Sequence, residues 1–227
     1  MPSLPPPHAD SANAERIRDA FRAFVETPDF SCLGARAALR HQSYAIAVYG
    51  GMAAPDANRG LACDLASFAA GPAQDDFATF VAVFADQPAE DEADFEATLW
   101  AQLQDLHGLD PAPAWDPAVS DDPDDVHFSF SFAGRAFFVV GLHPGSSRAA
   151  RRFAWPTLVF NPHAQFQRLR ADGRYFKLRD AIRARELALQ GSLNPNLSDF
   201  GERSEARQYS GRATEAEWRC PFHRTTG

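Results

Sequence analysis

The stretch Val126-His127-Phe128-Ser129-Phe130-Ser131-Phe132-Ala133-Gly134-Arg135-Ala136-Phe137-Phe138-Val139-Val140-Gly141-Leu142 decides the fold class. From 126 to 132, Val and Phe take every second position with His and Ser between them, which is the period of a strand with one apolar face. Ala133-Gly134 supplies a two-residue turn. The run that follows is apolar at nearly every position, as in an interior strand covered on both sides. The spacing predicts an antiparallel hairpin whose second strand lies inside a sheet.

Working outward, residues 43–49, 77–84 and 157–160 read as further strands. Between them the apolar period changes from two to between three and four. Ile17, Phe21, Phe24 and Val25 mark a helix that Ser11 or Asn13 can cap and Pro28 ends. Residues 34–40 and 61–70 read as short helices, the latter ending at Gly71-Pro72. Residues 91–107 open with acids and place Phe95, Leu99, Leu103 and Leu106 on one face. Residues 110–125, with four prolines and six aspartates, are a loop. Asn161 is read as capping a helix with Pro162 at its first position and Phe166 and Leu169 inward; residues 175–190 form a longer one with Leu178, Ile182 and Leu189 on a stripe. The expectation is a single α+β domain over 13–227, a mixed, largely antiparallel sheet with surrounding helices, preceded by a disordered tail at 1–12.

Composition narrows the function classes. The chain has 227 residues, 45% of them hydrophobic, enough for a sizeable core. No segment suits a membrane span and no signal peptide is visible; with three dispersed cysteines, Cys32, Cys63 and Cys220, the expectation is a soluble cytoplasmic protein without disulfides. Residues 1–134 carry 22 acids and 6 bases, net −16; residues 135–227 carry 8 and 16, net +8. The arginines of the basic half are interleaved with acids, which argues against a nucleic-acid surface. Phosphate-binding glycine loops, helix-borne histidine pairs and the Gly-x-Ser-x-Gly elbow are missing.

Three clusters hold chemistry. Cys32 stands just ahead of a helix in Phe30-Ser31-Cys32-Leu33-Gly34-Ala35-Arg36, where free N–H groups and the helix dipole favour thiolate; it could bind iron, act as a nucleophile or be an inert core thiol. Cys-Leu-Gly-Ala resembles the haem-ligand loop of thiolate-ligated monooxygenases. Next, His143 opens a strand exit with Ser146, Ser147, Arg148, Arg151 and Arg152, suited to an anionic ligand or to a plain polar turn. Third, His163 lies beside an apolar helix face, as a proximal haem ligand or a satisfied core histidine. Further on, 190–211 is dense in hydrogen-bonding groups, including Gln190, Asn194, Glu202 and Glu205, and Cys220-Pro221-Phe222-His223 is a weak ligand pair at a C-terminus read as frayed.

Taken together these clusters resemble the YqcI/YcgG family. The likeness runs from about Phe30 through Leu99-Trp100-Ala101-Gln102-Leu103, Phe128-Ser129-Phe130, Leu142-His143-Pro144, Ser147-Arg148 and Phe160-Asn161-Pro162-His163 to Gln190-Gly191-Ser192 and Ser204 to Gly211. It implies haem b and an N-oxygenase that hydroxylates a guanidino or amino nitrogen of arginine or an arginine-like small molecule in natural-product biosynthesis. O2 and a separate electron donor or reductant are then required. Within that frame the iron ligand is Cys32 first, then His163, then His143; Arg148 with Arg151 or Arg152 takes the propionates. Glu205 or Glu202 takes the guanidinium and Asn194 and Gln190 the amino-acid end. A non-catalytic haem-binding sensor or carrier is the alternative, and the oligomeric state stays open.

Overall fold

The structure, a computed structural model, describes residues 11–71, 76–88, 91–112 and 114–224. In chain order the elements are α1 (Ser11–Glu26), α2 (Leu33–His41), β1 (Tyr44–Tyr49), α3 (Pro55–Ala70), β2 (Thr79–Phe84), α4 (Glu92–Gly108), β3 (Phe130–Phe132), β4 (Arg135–Leu142), β5 (Thr157–Pro162), α5 (His163–Ala171), α6 (Arg174–Gln190) and the single turn α7 (Ala206–Tyr209). The strands form one five-stranded sheet in the order β1-β2-β5-β4-β3. Only β1 and β2 are parallel, joined over α3; the remaining pairs are antiparallel. The chain is α+β with a mostly antiparallel mixed sheet. Among the described residues no helix is long and apolar enough to cross a membrane.

The hairpin is shorter than its alternation suggests. Pairing starts at Phe130, opposite Phe137, and Phe132 faces Arg135 across a turn in which Ala133 and Gly134 have φ of 51° and 72°. Both are left-handed, as a two-residue turn that follows the sheet twist requires. Residues 126–129 lie outside the strand; Phe128 is nevertheless fully buried, so burial, not pairing, maintains the alternation there. Helix α3 starts at Pro55, six residues before the expected boundary, with proline at the start of the helix where its missing N–H costs nothing. Asn161 does not cap α5. It belongs to β5, where its side chain accepts from Thr79 Oγ1 and donates to the Phe138 carbonyl. Helix α1 begins at Ser11, inside the stretch expected to be a tail; the remainder of that stretch, 1–10, and the expected helix stop Pro72 lie outside the described residues.

Each face of the sheet buries a different set. Phe80, Ala82 and Phe84 of β2, with Leu158, Phe160, Phe137 and Val139, meet Leu61 and Leu65 of α3 and Phe95, Leu99 and Leu103 of α4. The intervening side chains Val81, Val83 and Val159 point to the other face, toward Phe21 and Val25 of α1 and Phe30. Every residue of β2 is buried, as expected of a strand with a layer on each side. The C-terminal segment is not frayed: Phe222 is 1% exposed and Cys220 8% exposed in the α4-side core. Arg212 and Ser210 fasten this segment to Glu96 of α4 at 2.7 and 3.0 Å.

Helix α4 crosses the sheet at Gly141, where an added Cβ would lie 2.6 Å from Phe95 Cε1 and 2.9 Å from Leu99 Cδ1. Only a residue without a side chain admits that approach. Gly141→Ala is expected to lower unfolding stability by roughly 1–3 kcal/mol, the usual effect of overpacking a core, measured as a shift of the urea midpoint at unchanged slope.

Candidate functional site

The second face of the sheet is incompletely filled. Between it and α2, α5 and α6 lies a cavity of about 350 Å³ whose walls include Val81, Val140, Val159, Leu142, Leu169 and Ile182. This is at the lower end of the roughly 300–1,000 Å³ typical of small-molecule sites. Cys32 faces it. The residue is the N-cap of α2, and its sulfur accepts the Ala35 N–H at 3.5 Å because the first helical turn, Leu33-Gly34-Ala35, has N–H donors without intrahelical partners. Burial pushes the thiol pKa up, while the N–H groups of Ala35 and Gly34 and the charge of Arg151 pull it back.

Four arginines line the same space: Arg148, Arg151, Arg179 and Arg183. Arg148 is committed to the protein, donating to Glu186 Oε1 at 2.6 Å and to Ser192, with both partners of the ion pair almost buried. Among the described residues Arg151 has only carbonyls, those of Gly141, Gln208 and Tyr209, as hydrogen-bond acceptors. Burial lowers its pKa to about 10, so it stays charged at neutral pH. Arg179 and Arg183 both reach Asp199.

A second cavity of about 120 Å³ adjoins the first and shares Phe138, Phe166, Tyr175, Ser198 and Gln208 with it. Its remaining walls are His163, Arg170, Phe200 and Glu205. His163 begins α5 and is 2% exposed; neither ring nitrogen has a hydrogen-bonding partner among the described residues. Desolvation, helped by Arg170, lowers its pKa to about 4, so the ring is neutral. Glu205 accepts from the Tyr209 hydroxyl at 2.7 Å, and burial raises its pKa to about 7 against the pull of Ser129, Tyr209 and Arg170. The Arg170 guanidinium stacks over Tyr175 at 4.1 Å.

The remaining candidates fall elsewhere. His143 leaves β4 on the opposite face and stacks on Phe95 at 4.2 Å, so Cys32, His163 and His143 occupy three separate places. Arg152 staples the Ser146 and Ser147 carbonyls. Gln190 holds the same loop through Ala149 N and Ser147 O. Asn194 lines the larger cavity, but its amide is used by Gly211 O and Asn196 N. Glu202 is exposed and accepts from Asp199 N. Cys220 and His223 gain no third partner: among the described residues no three His, Cys, Asp or Glu side chains converge on a metal-sized site. Sequence reasoning missed Arg170, Tyr175, Arg179, Arg183 and Glu186, because on a helix of mixed charge they read as a solvated face.

Glu205 and His163 act on stability in opposite directions. A carboxyl with a folded pKa near 7 binds more protons folded than unfolded, so its contribution falls as pH rises from the ordinary 4.5 through 7. A histidine lowered to about 4 binds fewer when folded, so its contribution rises between pH 4 and 6.5. Above pH 6.5 only the carboxyl matters. Glu205→Gln is therefore expected to gain stability relative to the parent as pH increases, by about 3 kcal/mol between pH 4.5 and 8 for full desolvation. Denaturant unfolding of both proteins across that range measures the difference; a pH-independent difference contradicts it.

Residues 21–223 match the model of the YqcI/YcgG family. The protein named "Uncharacterized protein YqcI" of Bacillus subtilis (strain 168) is 31% identical over 137 residues, covering 57% of this chain and 53% of its own length. The aligned region thus spans about half of that relative. No solved structure matches. The match from 21 to 223 takes in both cavities and nearly all of the sheet and its covering helices, and the chain belongs to the YqcI/YcgG family.

Proposed function

We infer that this chain binds haem b in the larger cavity and uses O2 and electrons from a separate donor to N-hydroxylate a guanidino or amino nitrogen of arginine or a similar small molecule, in natural-product biosynthesis. The observation that carries the reading is the Cys32 sulfur on the wall of an apolar cavity that adjoins a small pocket holding a buried carboxyl. The residues fit such a cofactor. One soft ligand at a helix N-terminus suits iron, and the adjoining N–H groups and Arg151 stabilise the thiolate that burial alone disfavours. Coordination itself deprotonates a thiol. Among the described residues the hydrogen bonds of Arg151 go to carbonyls and not to a carboxylate, so it is better placed than Arg148 to balance a propionate.

When bound, haem supplies the redox-active iron at which O2 is reduced. The chain's own residues supply the substrate end. Glu205 has Tyr209 on Oε1, and as a carboxylate it can accept hydrogen bonds from a guanidinium. A cation beside it favours the ionised form, so substrate binding below about pH 7 releases the Glu205 proton. His163, neutral, offers one donor and one acceptor to the same pocket. Phe138, Phe166 and Phe200, each half-buried, form its aromatic walls.

Haemin added to the full chain is expected to give a stoichiometric Soret band that Cys32→Ser loses and His163→Ala keeps. The reverse pattern transfers the ligand role to His163. With arginine, O2 and a reductant, mass spectrometry is expected to show a gain of one oxygen atom. Glu205→Gln is expected to keep the haem but raise KM for arginine at least about tenfold, the equivalent of ~1.4 kcal/mol. Haem bound without any product marks a sensor or carrier.

A further inference from the structure

Helix α6 is an unusual cover. It spans 17 residues and none is buried, although it lies over the larger cavity and contributes Leu178, Ile182 and Glu186 to the wall. A helix that packed a core would bury an apolar stripe. Here the inward side chains border the cavity, and the attachments are polar. Glu186 accepts from Arg148 and from Ser31 Oγ at 2.6 and 2.8 Å. Arg185 donates to the Phe30 and Pro28 carbonyls at the mouth of the Cys32 loop. At the other end Arg174 reaches Asp76, and Arg179 reaches Asp199.

Both ends of α6 are glycines in the left-handed region, Gly173 with φ 76° and Gly191 with φ 74°, and neither has another atom within 4 Å of its Cβ position. Such residues absorb backbone rotation without collision. We propose that α6 is a hinged lid over the larger cavity, pivoting at Gly173 and Gly191 and latched by Glu186 to Arg148 of the β4–β5 connection and Ser31 of the Cys32 loop. A ligand larger than the present cavity of about 350 Å³ is admitted only when the lid lifts. The nature of the entering molecule rests on the haem reading; the lid does not.

The latch is a nearly buried ion pair in a helix with no fully buried apolar residue. Removing its charge leaves Arg148 beside Arg151 and uncompensated, which favours the open position. Hydrogen–deuterium exchange on the ligand-free full chain tests this. Residues 174–190 are expected to exchange as one block, faster than α4. Glu186→Gln is expected to accelerate that block at least about tenfold and leave α4 unchanged. Ser31→Ala, which removes one hydrogen bond and no charge, is expected to act in the same direction by a smaller factor. Protection of α6 equal to that of α4, or equal acceleration of both helices in the Glu186→Gln and Ser31→Ala variants, overturns the lid. Haemin uptake followed by the Soret band separates the two proposals. Faster uptake by Glu186→Gln supports both. Accelerated exchange with no Soret band in any protein supports the lid and overturns the haem reading. Equal uptake rates with unaltered exchange overturn the lid and leave the haem reading standing.

Discussion

Strand β2 is apolar on both faces, and the architecture follows from covering both. Its six residues are all buried, alternating between Phe80, Ala82 and Phe84 on one side and Thr79, Val81 and Val83 on the other. A helix layer on one side alone would leave the valines in water. The chain supplies two layers of unequal quality. Helices α3 and α4 fill the first with large side chains, to the point that Gly141 must remain a glycine. The second is built from α1 and α2, which bury apolar residues, and from α5 and α6, which largely do not.

That inequality creates the cavity. Close packing makes an interior without voids the default in a folded protein, so a space of about 350 Å³ roofed by a helix with no buried residue is a feature the sequence maintains against collapse. Polar contacts at the rim hold the roof off the sheet: Arg148 with Glu186, Arg185 with the Phe30 carbonyl, Arg179 with Asp199. Each is satisfied at the edge, and none draws an apolar stripe inward. The same rim contains Cys32, whose position at the start of α2 follows from the helix needing an N-cap there.

The smaller pocket depends on the other end of the chain. Glu205 and Tyr209 come from the C-terminal segment, whose Ser210 and Arg212 are tied to Glu96 of α4. Many of the side chains in 190–212 that stand out as rich in specific groups are spent on this fastening: Asn194, Asn196, Gln208 and Arg207 bond to carbonyls of neighbouring loops. A segment without regular structure must satisfy its backbone polar groups individually, and amides and guanidinia do so. Dense hydrogen-bonding chemistry in a loop therefore signals internal stapling as readily as ligand binding.

Periodicity alone revealed the α+β class, the β3–β4 hairpin and its Ala133-Gly134 turn, the α4 face and the position of Cys32 ahead of a helix, because each depends on neighbours within a few residues. Boundaries moved where tertiary burial replaced local pairing, as at Phe128 and Asn161. Which candidates share a site was beyond local pattern. His143 and Phe138 lie five residues apart yet on opposite faces of the sheet, and Cys32 meets Glu186 from across the chain. Side-chain alternation sets the face once the strand is known, but only the assembled layers decide which face is packed solid and which is left hollow.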